Sequence, residues 1–149
     1  MTDLVADVGA THARFQLCDE DGLRGDPIIL QTAGYAAVPD LLDDVLRSPG
    51  MQDVALGRVL FAVAGPQAPA GGITVTNTGL LFDAAQCSAH LEVDVRLEND
   101  FFALAHGVPL FTELTQLGGA SARPGNKALL GPGSGLGMAT IVPVGPGGP

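Results

Sequence analysis

The sequence predicts an α/β fold in which a mixed β-sheet of about five strands is flanked by helices. Two short runs near the N-terminus, Leu4–Val8 and Ala13–Cys18, surround the turn Gly9–His12 and predict an antiparallel hairpin. The run Arg58–Ala64 is almost continuously apolar, which predicts a buried strand in a sheet covered on both faces. Apolar residues at helical spacing lie between these strands, at Val38, Leu41, Leu42, Val45 and Leu46.

The remaining elements follow in chain order. That first helix is expected to end before Ser48-Pro49-Gly50, because proline and glycine stop a helix. A short helix is expected from Asp83 to His90, with Asp83 as its N-cap. Another begins at Asn99 or Asp100 and covers Phe101–His106. The further predicted strands are Pro27–Gln31, Ile73–Asn77, Val93–Leu97, Lys127–Leu130 and Met138–Val142, with a Pro/Gly loop over Gly65–Gly72.

Charge and composition limit the class of protein. Seven Lys and Arg against 16 Asp and Glu give a formal net charge of −9, which disfavours nucleic acid and anionic membranes as partners. The start of the chain has no basic region followed by an apolar stretch, and no apolar run approaches the roughly 20 residues of a membrane helix. A cytoplasmic protein that binds small molecules is expected. Two cysteines are too few for a disulfide framework.

The phenylalanines are expected in the core, because no basic patch accompanies them to suggest base stacking. They are Phe15, Phe61, Phe82, Phe101, Phe102 and Phe111.

The first glycine turn follows a strand end and carries a carboxylate. Asp7 at that end could hold a magnesium ion through water, while the N–H groups of the turn and the Thr11 hydroxyl meet phosphate oxygens. An ordinary hairpin turn with a solvated Asp7 fits the same residues.

The second glycine turn, Gly131–Gly137, has glycines at alternate positions and a hydroxyl residue, Ser134. It contains no lysine, so it is not a Walker loop, and its glycines do not have the G-x-G-x-x-G spacing of a dinucleotide site. A strand-like run follows it, where a Rossmann turn would begin a helix. A phosphate loop between two strands is therefore expected, with a flexible hairpin turn as the alternative.

The step Asn99-Asp100 lies where a predicted strand passes into a helix, which is a common position for catalytic residues. Asn99 could bond a sugar hydroxyl, and Asp100 could accept the proton of an attacking hydroxyl. Alternatively, Asn99 caps the helix and Asp100 favours its positive end.

In this order the three patterns resemble the bacterial glucokinase family of the hexokinase and actin superfamily, over nearly the whole chain. The family's first phosphate motif, Asp-x-Gly-Gly-Thr-Asn-x-Arg, is matched at Asp7, Gly9, Thr11 and Arg14, with Ala10 and His12 in place of the second glycine and the asparagine. Its Asn-Asp-Phe step is matched at Asn99, Asp100 and Phe101. Its second phosphate motif, Gly-x-Gly-Thr-Gly-Leu-Gly, is matched at Gly131, Gly133, Gly135, Leu136 and Gly137.

The resemblance also includes Thr76-Asn77, which is similar to the family's Thr-Asn step near the sugar. The tryptophan usual after that step is absent, with Leu80 near its place, so an altered sugar fit is expected.

The resemblance implies an ATP-dependent kinase that uses Mg²⁺ to phosphorylate glucose, on a ribonuclease-H-like (actin-like ATPase) domain. Asp100 would be the base, Asn99, Asp100 and Asn77 would contact the sugar, and Asp7 would hold the metal through water. The residues implied for ATP and phosphate are Gly9, Ala10, Thr11, His12, Arg14, Gly133, Ser134 and Gly135.

The family's sugar loop, Gly-Glu-Gly-Gly-His, and its adenosine segments are missing from the sequence. We therefore expect residues 1–142 to form the N-terminal lobe of a sugar kinase, followed by a truncated Gly/Pro-rich turn over 143–149. Such a chain is expected to be inactive alone, and the full-length protein could be a homodimer. A non-catalytic sugar-sensing relative and a nucleotide-binding module with a non-sugar acceptor are the alternatives.

Overall fold

The computed structural model describes residues 1–68, 71–120, 124–133 and 135–143. The chain divides into two compact units, the first of which ends at Asp100. The strands are β1 (Thr2–Val8), β2 (His12–Asp19), β3 (Gly22–Gln31), β4 (Leu56–Val63), β5 (Ile73–Thr74), β6 (Leu81–Phe82), β7 (Asp94–Asn99), β8 (Lys127–Pro132) and β9 (Leu136–Ile141). The α-helices are α1 (Val38–Arg47), α2 (Ala84–Leu91) and α3 (Asp100–Gly107), and short 3-10 helices cover Thr32–Gly34 and Val108–Leu110.

A five-stranded sheet in the order β3-β2-β1-β4-β7 organises the first unit. Strands β1, β2 and β3 pair antiparallel, whereas β4 pairs parallel with both β1 and β7. The predicted mixed sheet and α/β class are therefore confirmed. The central position of β1 follows from its sequence, because Leu4, Ala6 and Val8 are buried on one face.

The core lies against one face of this sheet. Rings of Phe15, Phe61 and Phe82 form a chain of edge-to-face contacts, with centroids 6.1 Å and 5.5 Å apart. The apolar face of α1 and the buried Cys87 of α2 join the same core.

The expectation that β4 is covered on both faces is wrong for the described chain: Leu60 is 38% exposed. Its neighbours Val59 and Phe61 are buried, so β4 alternates as a strand covered on one face does.

Local signals in the sequence explain the helix boundaries. The Asp83 side chain accepts a hydrogen bond from the N–H of Gln86 at 2.8 Å, which confirms it as the N-cap of α2. Helix α3 begins at Asp100, as expected. Strand β5 is shorter than predicted, because Val75 begins a tight turn in which its N–H donates to Leu80 O at 2.8 Å.

The second unit, in its described part, consists of most of α3, the following 3-10 helix and the β8–β9 hairpin. The ring of Phe101 lies against Gly131 and Gly137, and a Cβ at either glycine would overlap it. Phe102 and Phe111 are 51% and 48% exposed, so the expectation that they lie in the core is wrong.

Within the described ranges no helix is long and apolar enough to cross a bilayer; α1 has 10 residues.

Candidate functional site

Three strands of the first unit end side by side. The registers place Val8 of β1 beside Val63 of β4, and Val63 beside Asn99 of β7. All three run parallel, so the residues that follow them emerge at one edge of the sheet. This carboxyl edge is where ligands bind in α/β sheets. It brings together the first glycine turn and the Asn99-Asp100 step, which are separated by about 90 residues of sequence.

A third segment reaches the same edge through backbone hydrogen bonds. The N–H of Ala64 donates to Val8 O at 2.8 Å, and the N–H of Thr76 donates to Ala64 O at 2.9 Å. Asn77 follows directly, exposed and with a left-handed φ of 66°. Asparagine tolerates this conformation better than most residues. The structure thus brings the predicted sugar-binding Asn77 to the edge where Asn99 and Asp100 lie.

The glycine turn after β1 is held by two backbone bonds. Gly9 N–H donates to His12 O at 2.9 Å, and Thr32 N–H donates to Thr11 O at 3.0 Å. Gly9 has no positive φ; a Cβ there would approach His12 O to 3.3 Å, a tight contact that glycine avoids. Of the turn's described N–H groups, those of Ala10 and Thr11 donate to no backbone acceptor. These two amides, rather than that of Gly9, are available to an anion.

Asp7 and Arg14 lie opposite each other on β1 and β2. Arg14 Nη1 is 3.5 Å from Asp7 Oδ2, and the two side chains are 54% and 63% exposed. A single exposed carboxylate fits a magnesium ion that keeps several waters and takes its other ligands from phosphate. In the described part of the chain no three acidic, His or Cys side chains cluster as a metal site. Asp7 therefore suits a water-mediated ligand and not a protein-enclosed cage.

Asn99 ties the candidate base to the neighbouring strand. Its Nδ2 donates to Gly65 O at 3.1 Å and to Asp100 Oδ1 at 3.0 Å. Gly65 follows β4, and a Cβ at this position would overlap Thr74 O. Only glycine therefore lets the backbone at residue 65 pack so close to that of Thr74. Asn99 and Asp100 are both half-buried. The carboxylate of Asp100 is thus oriented by an amide that is itself fixed to the sheet edge.

The second glycine turn belongs to the second unit. Pro132 pairs with Leu136, and Gly133 N–H donates to Gly135 O at 2.8 Å, which closes the loop between β8 and β9. Ser134 lies outside the described residues. The outer glycines have a structural role, because they make room for Phe101. A shared phosphate site formed by both turns stays a prediction.

Three features of the first unit were not foreseen. Leu80 is 3% exposed and belongs to the core, so it does not present its side chain to a sugar at the surface. Thr32 is completely buried and bonds the glycine turn, although a threonine after a strand gives no such signal in sequence. The Gly65 contact was also missed, since one glycine in a Pro/Gly loop is unremarkable.

Comparison with known proteins gives consistent matches. The glucokinase family model matches residues 4–147. A glucokinase from Chromobacterium violaceum is 36% identical over an alignment of 146 positions, which covers 94% of this chain and 40% of that protein. The crystal structure of a glucokinase from an Antarctic psychrotroph has a TM-score of 0.69 at 26% identity, covering 97% of this chain and 47% of the other.

A third match concerns the fold alone. A glucokinase of the ROK family from Streptomyces griseus, solved with glucose and AMPPNP, has a TM-score of 0.66 at 17% identity. It covers 95% of this chain and 45% of that one. The chain thus spans less than half the length of each of these relatives.

Proposed function

The chain belongs to the glucokinase family, and on that premise we propose that the full-length protein transfers the terminal phosphoryl group of ATP to a hexose, with glucose as the first candidate. The observation that carries the proposal is the carboxyl edge of the sheet, at which Asp100, Asn77 and the glycine turn all lie. Glucose and an ATP analogue in the Streptomyces griseus structure support the same pair of substrates.

Asp100 accepts the proton of the hexose hydroxyl as that oxygen bonds to the terminal phosphorus. The bond from phosphorus to the bridging oxygen breaks, and ADP leaves with the electron pair. Since such reactions depend on positioning, the bond from Asn99 Nδ2 that orients the Asp100 carboxylate is part of the machinery. Asn99 and Asn77 contact the sugar hydroxyls.

The phosphate groups are held mainly by the backbone. We assign the amides of Ala10 and Thr11, the Arg14 guanidinium and the turn Gly133–Gly135 to this role, with Gly9 and His12 fixing the first turn. Asp7 would hold Mg²⁺ through water. When bound, the metal neutralises charge that develops on the phosphate oxygens. With only seven Lys and Arg in the chain, backbone donors and metal are expected to do most of this work.

We also propose that residues 1–142 are the N-terminal lobe of a cytoplasmic two-lobed enzyme that assembles as a homodimer, with no nucleic-acid or membrane partner. The length of the relatives supports this, as does the second unit, in which ten large apolar side chains of the described residues are at least 40% exposed. They are Phe102, Leu104, Leu110, Phe111, Leu114, Leu117, Leu130, Leu136, Met138 and Val142. Surfaces of this kind are normally covered by another part of a protein.

Substitution of Asp100 by Asn in the full-length protein tests the chemistry. We expect kcat for glucose phosphorylation to fall by about 10²–10⁴, because the general base is lost while the shape of the side chain is kept. Glucose affinity, measured by isothermal titration, should change much less. A coupled assay of ADP formation measures kcat.

Asp94→Asn is the matched control. Asp94 lies at the other end of β7, 65% exposed beside Arg96, and its substitution should leave kcat unchanged. Normal turnover by Asp100→Asn would refute the assigned base. Glucose binding without turnover by the wild-type protein would instead favour the sugar-sensing alternative.

A further inference from the structure

Thr32 is the one buried polar side chain among the described residues, and its hydroxyl makes no hydrogen bond. Its exposure is 0%, and no described group lies within hydrogen-bond reach of Oγ1. A buried hydroxyl without a partner loses its bonds to water and gains nothing in return. Valine would fill nearly the same space without that cost. Departures of this kind in a folded protein are expected at strained or functional positions.

The backbone of Thr32 supports the candidate phosphate turn. Gln31, the last residue of β3, pairs with His12, the first residue of β2. Beyond that pair, Thr32 N–H donates to Thr11 O at 3.0 Å and extends the ladder into the turn. Thr32 O accepts from Tyr35 N–H at 3.3 Å. Both backbone groups of Thr32 are therefore engaged, and only its hydroxyl has no partner.

The Thr11 carbonyl is part of the turn in which the amides of Ala10 and Thr11 donate to no backbone acceptor. An anion bound by those amides acts on the peptide groups next to the Thr11–His12 peptide, whose carbonyl accepts a hydrogen bond from Thr32 N–H. The buried Thr32 hydroxyl can donate a hydrogen bond to a carbonyl of the turn, if binding of an anion rotates that peptide group toward it. The same hydroxyl has no such use in the unliganded turn.

We propose that Thr32 is a positioning residue of the phosphate turn, whose hydroxyl gains its hydrogen-bond partner when the turn Gly9–His12 binds the phosphates of the nucleotide. This inference rests on the proposed kinase function. It predicts that removal of the hydroxyl leaves the free protein as stable or slightly more stable, and that it weakens nucleotide binding.

The test compares Thr32→Val with Thr32→Ser in the full-length protein. Without ligand, Thr32→Val should melt at the wild-type temperature or a few degrees above it, because an unsatisfied hydroxyl is removed. Its affinity for ATP with Mg²⁺, measured by isothermal titration, should fall about tenfold, with glucose affinity unchanged. Thr32→Ser keeps a hydroxyl and should retain most of the nucleotide affinity.

Thr78→Val is the matched control for stability. The Thr78 hydroxyl donates to Val75 O at 3.3 Å and accepts from Leu80 N–H at 3.2 Å, so its removal should lower the melting temperature. A fall in melting temperature for Thr32→Val similar to that of Thr78→Val would show that the Thr32 hydroxyl is already partnered in the free protein, and would overturn the proposal. Unchanged nucleotide affinity in Thr32→Val would overturn it as well.

The same measurements distinguish failure of the proposed kinase function from failure of the proposed role of Thr32. Wild-type protein that binds no nucleotide would refute the proposed kinase function and with it the role of Thr32. Wild-type binding that Thr32→Val leaves intact would refute the role of Thr32 alone.

Discussion

At the residue scale, the side chain of Asn99 has a role that neither of its two predicted functions included. A helix cap and a sugar ligand were alternatives for this residue, whereas its amide nitrogen bridges Gly65 O and the carboxylate of Asp100. The sequence could place Asn99 at a strand end but could not show the Gly65 contact, which joins residues 34 positions apart. Local patterns predict which residues are candidates, and long-range packing decides what each one touches.

Cys87 offers a residue-scale prediction that is independent of function. Burial raises the pKa of its thiol to about 11, above the ordinary value near 9. The folded chain therefore holds this proton more tightly than the unfolded chain. The resulting stability is complete below about pH 9 and is lost as the pH rises toward 11. Between pH 8 and 10.5 the loss should reach about 2 kcal/mol.

Urea unfolding of Cys87→Ala over that pH range checks this. The variant should be less stable at pH 8 because of its cavity, but its stability should fall less steeply with pH. Cys18→Ala retains the buried thiol and should keep most of the steep fall. Parallel curves for wild type and Cys87→Ala would contradict the prediction.

At the scale of elements, the β8–β9 hairpin shows why a sequence motif can mislead in part. Four alternating glycines suggested one phosphate loop. In the structure Gly133 and Gly135 form the loop, whereas Gly131 and Gly137 flank the ring of Phe101. Strand positions and the hairpin itself were predictable from periodicity. The role of the outer glycines was not, because it depends on an aromatic ring about 30 residues away in sequence.

Substitution of Gly137 by Ala should therefore destabilise the second unit by about 1–3 kcal/mol, because the methyl group overlaps the Phe101 ring. Urea unfolding measures the loss. Gly135→Ala is the control: a Cβ there meets no atom within 4 Å, and the change in stability should stay within about 0.5 kcal/mol.

A second variant shows whether the ring is responsible. Phe101→Leu in the Gly137→Ala background should recover part of the loss, since the two positions are in contact and their effects are not additive. Strictly additive losses would mean that the glycine is needed for another reason.

On the scale of the whole molecule, the α/β class and the mixed sheet followed from the sequence, because the hairpin and the buried strand have distinct periodicities. The exposure of the Leu60 and Phe102 side chains did not follow from the sequence. Hydrophobicity shows that a side chain prefers burial, but not whether the covering surface belongs to the same 149 residues. For the site, the residues at the carboxyl edge were predictable as motifs, and Thr32 was not, since nothing local marks it.

The 149-residue chain alone should phosphorylate glucose at no detectable rate. Phosphoryl transfer depends on groups held around both substrates and on exclusion of water, and the proposed second lobe supplies part of both. A coupled assay of the chain beside the full-length protein, at equal concentration, makes the comparison. Detectable turnover by the 149-residue chain alone would contradict the two-lobe proposal.

Strand β1 has hydrogen-bonded neighbours on both sides, β2 and β4, while β3 and β7 form the edges of its sheet. Local opening begins at edges and frayed ends and reaches doubly paired strands last. The glycine turn thus joins two doubly paired strands, β1 and β2, whose amides are expected to exchange with solvent slowly. Local opening of the edge strands therefore leaves the backbone of the turn in place. Binding of an anion to a turn that is already ordered costs little conformational entropy.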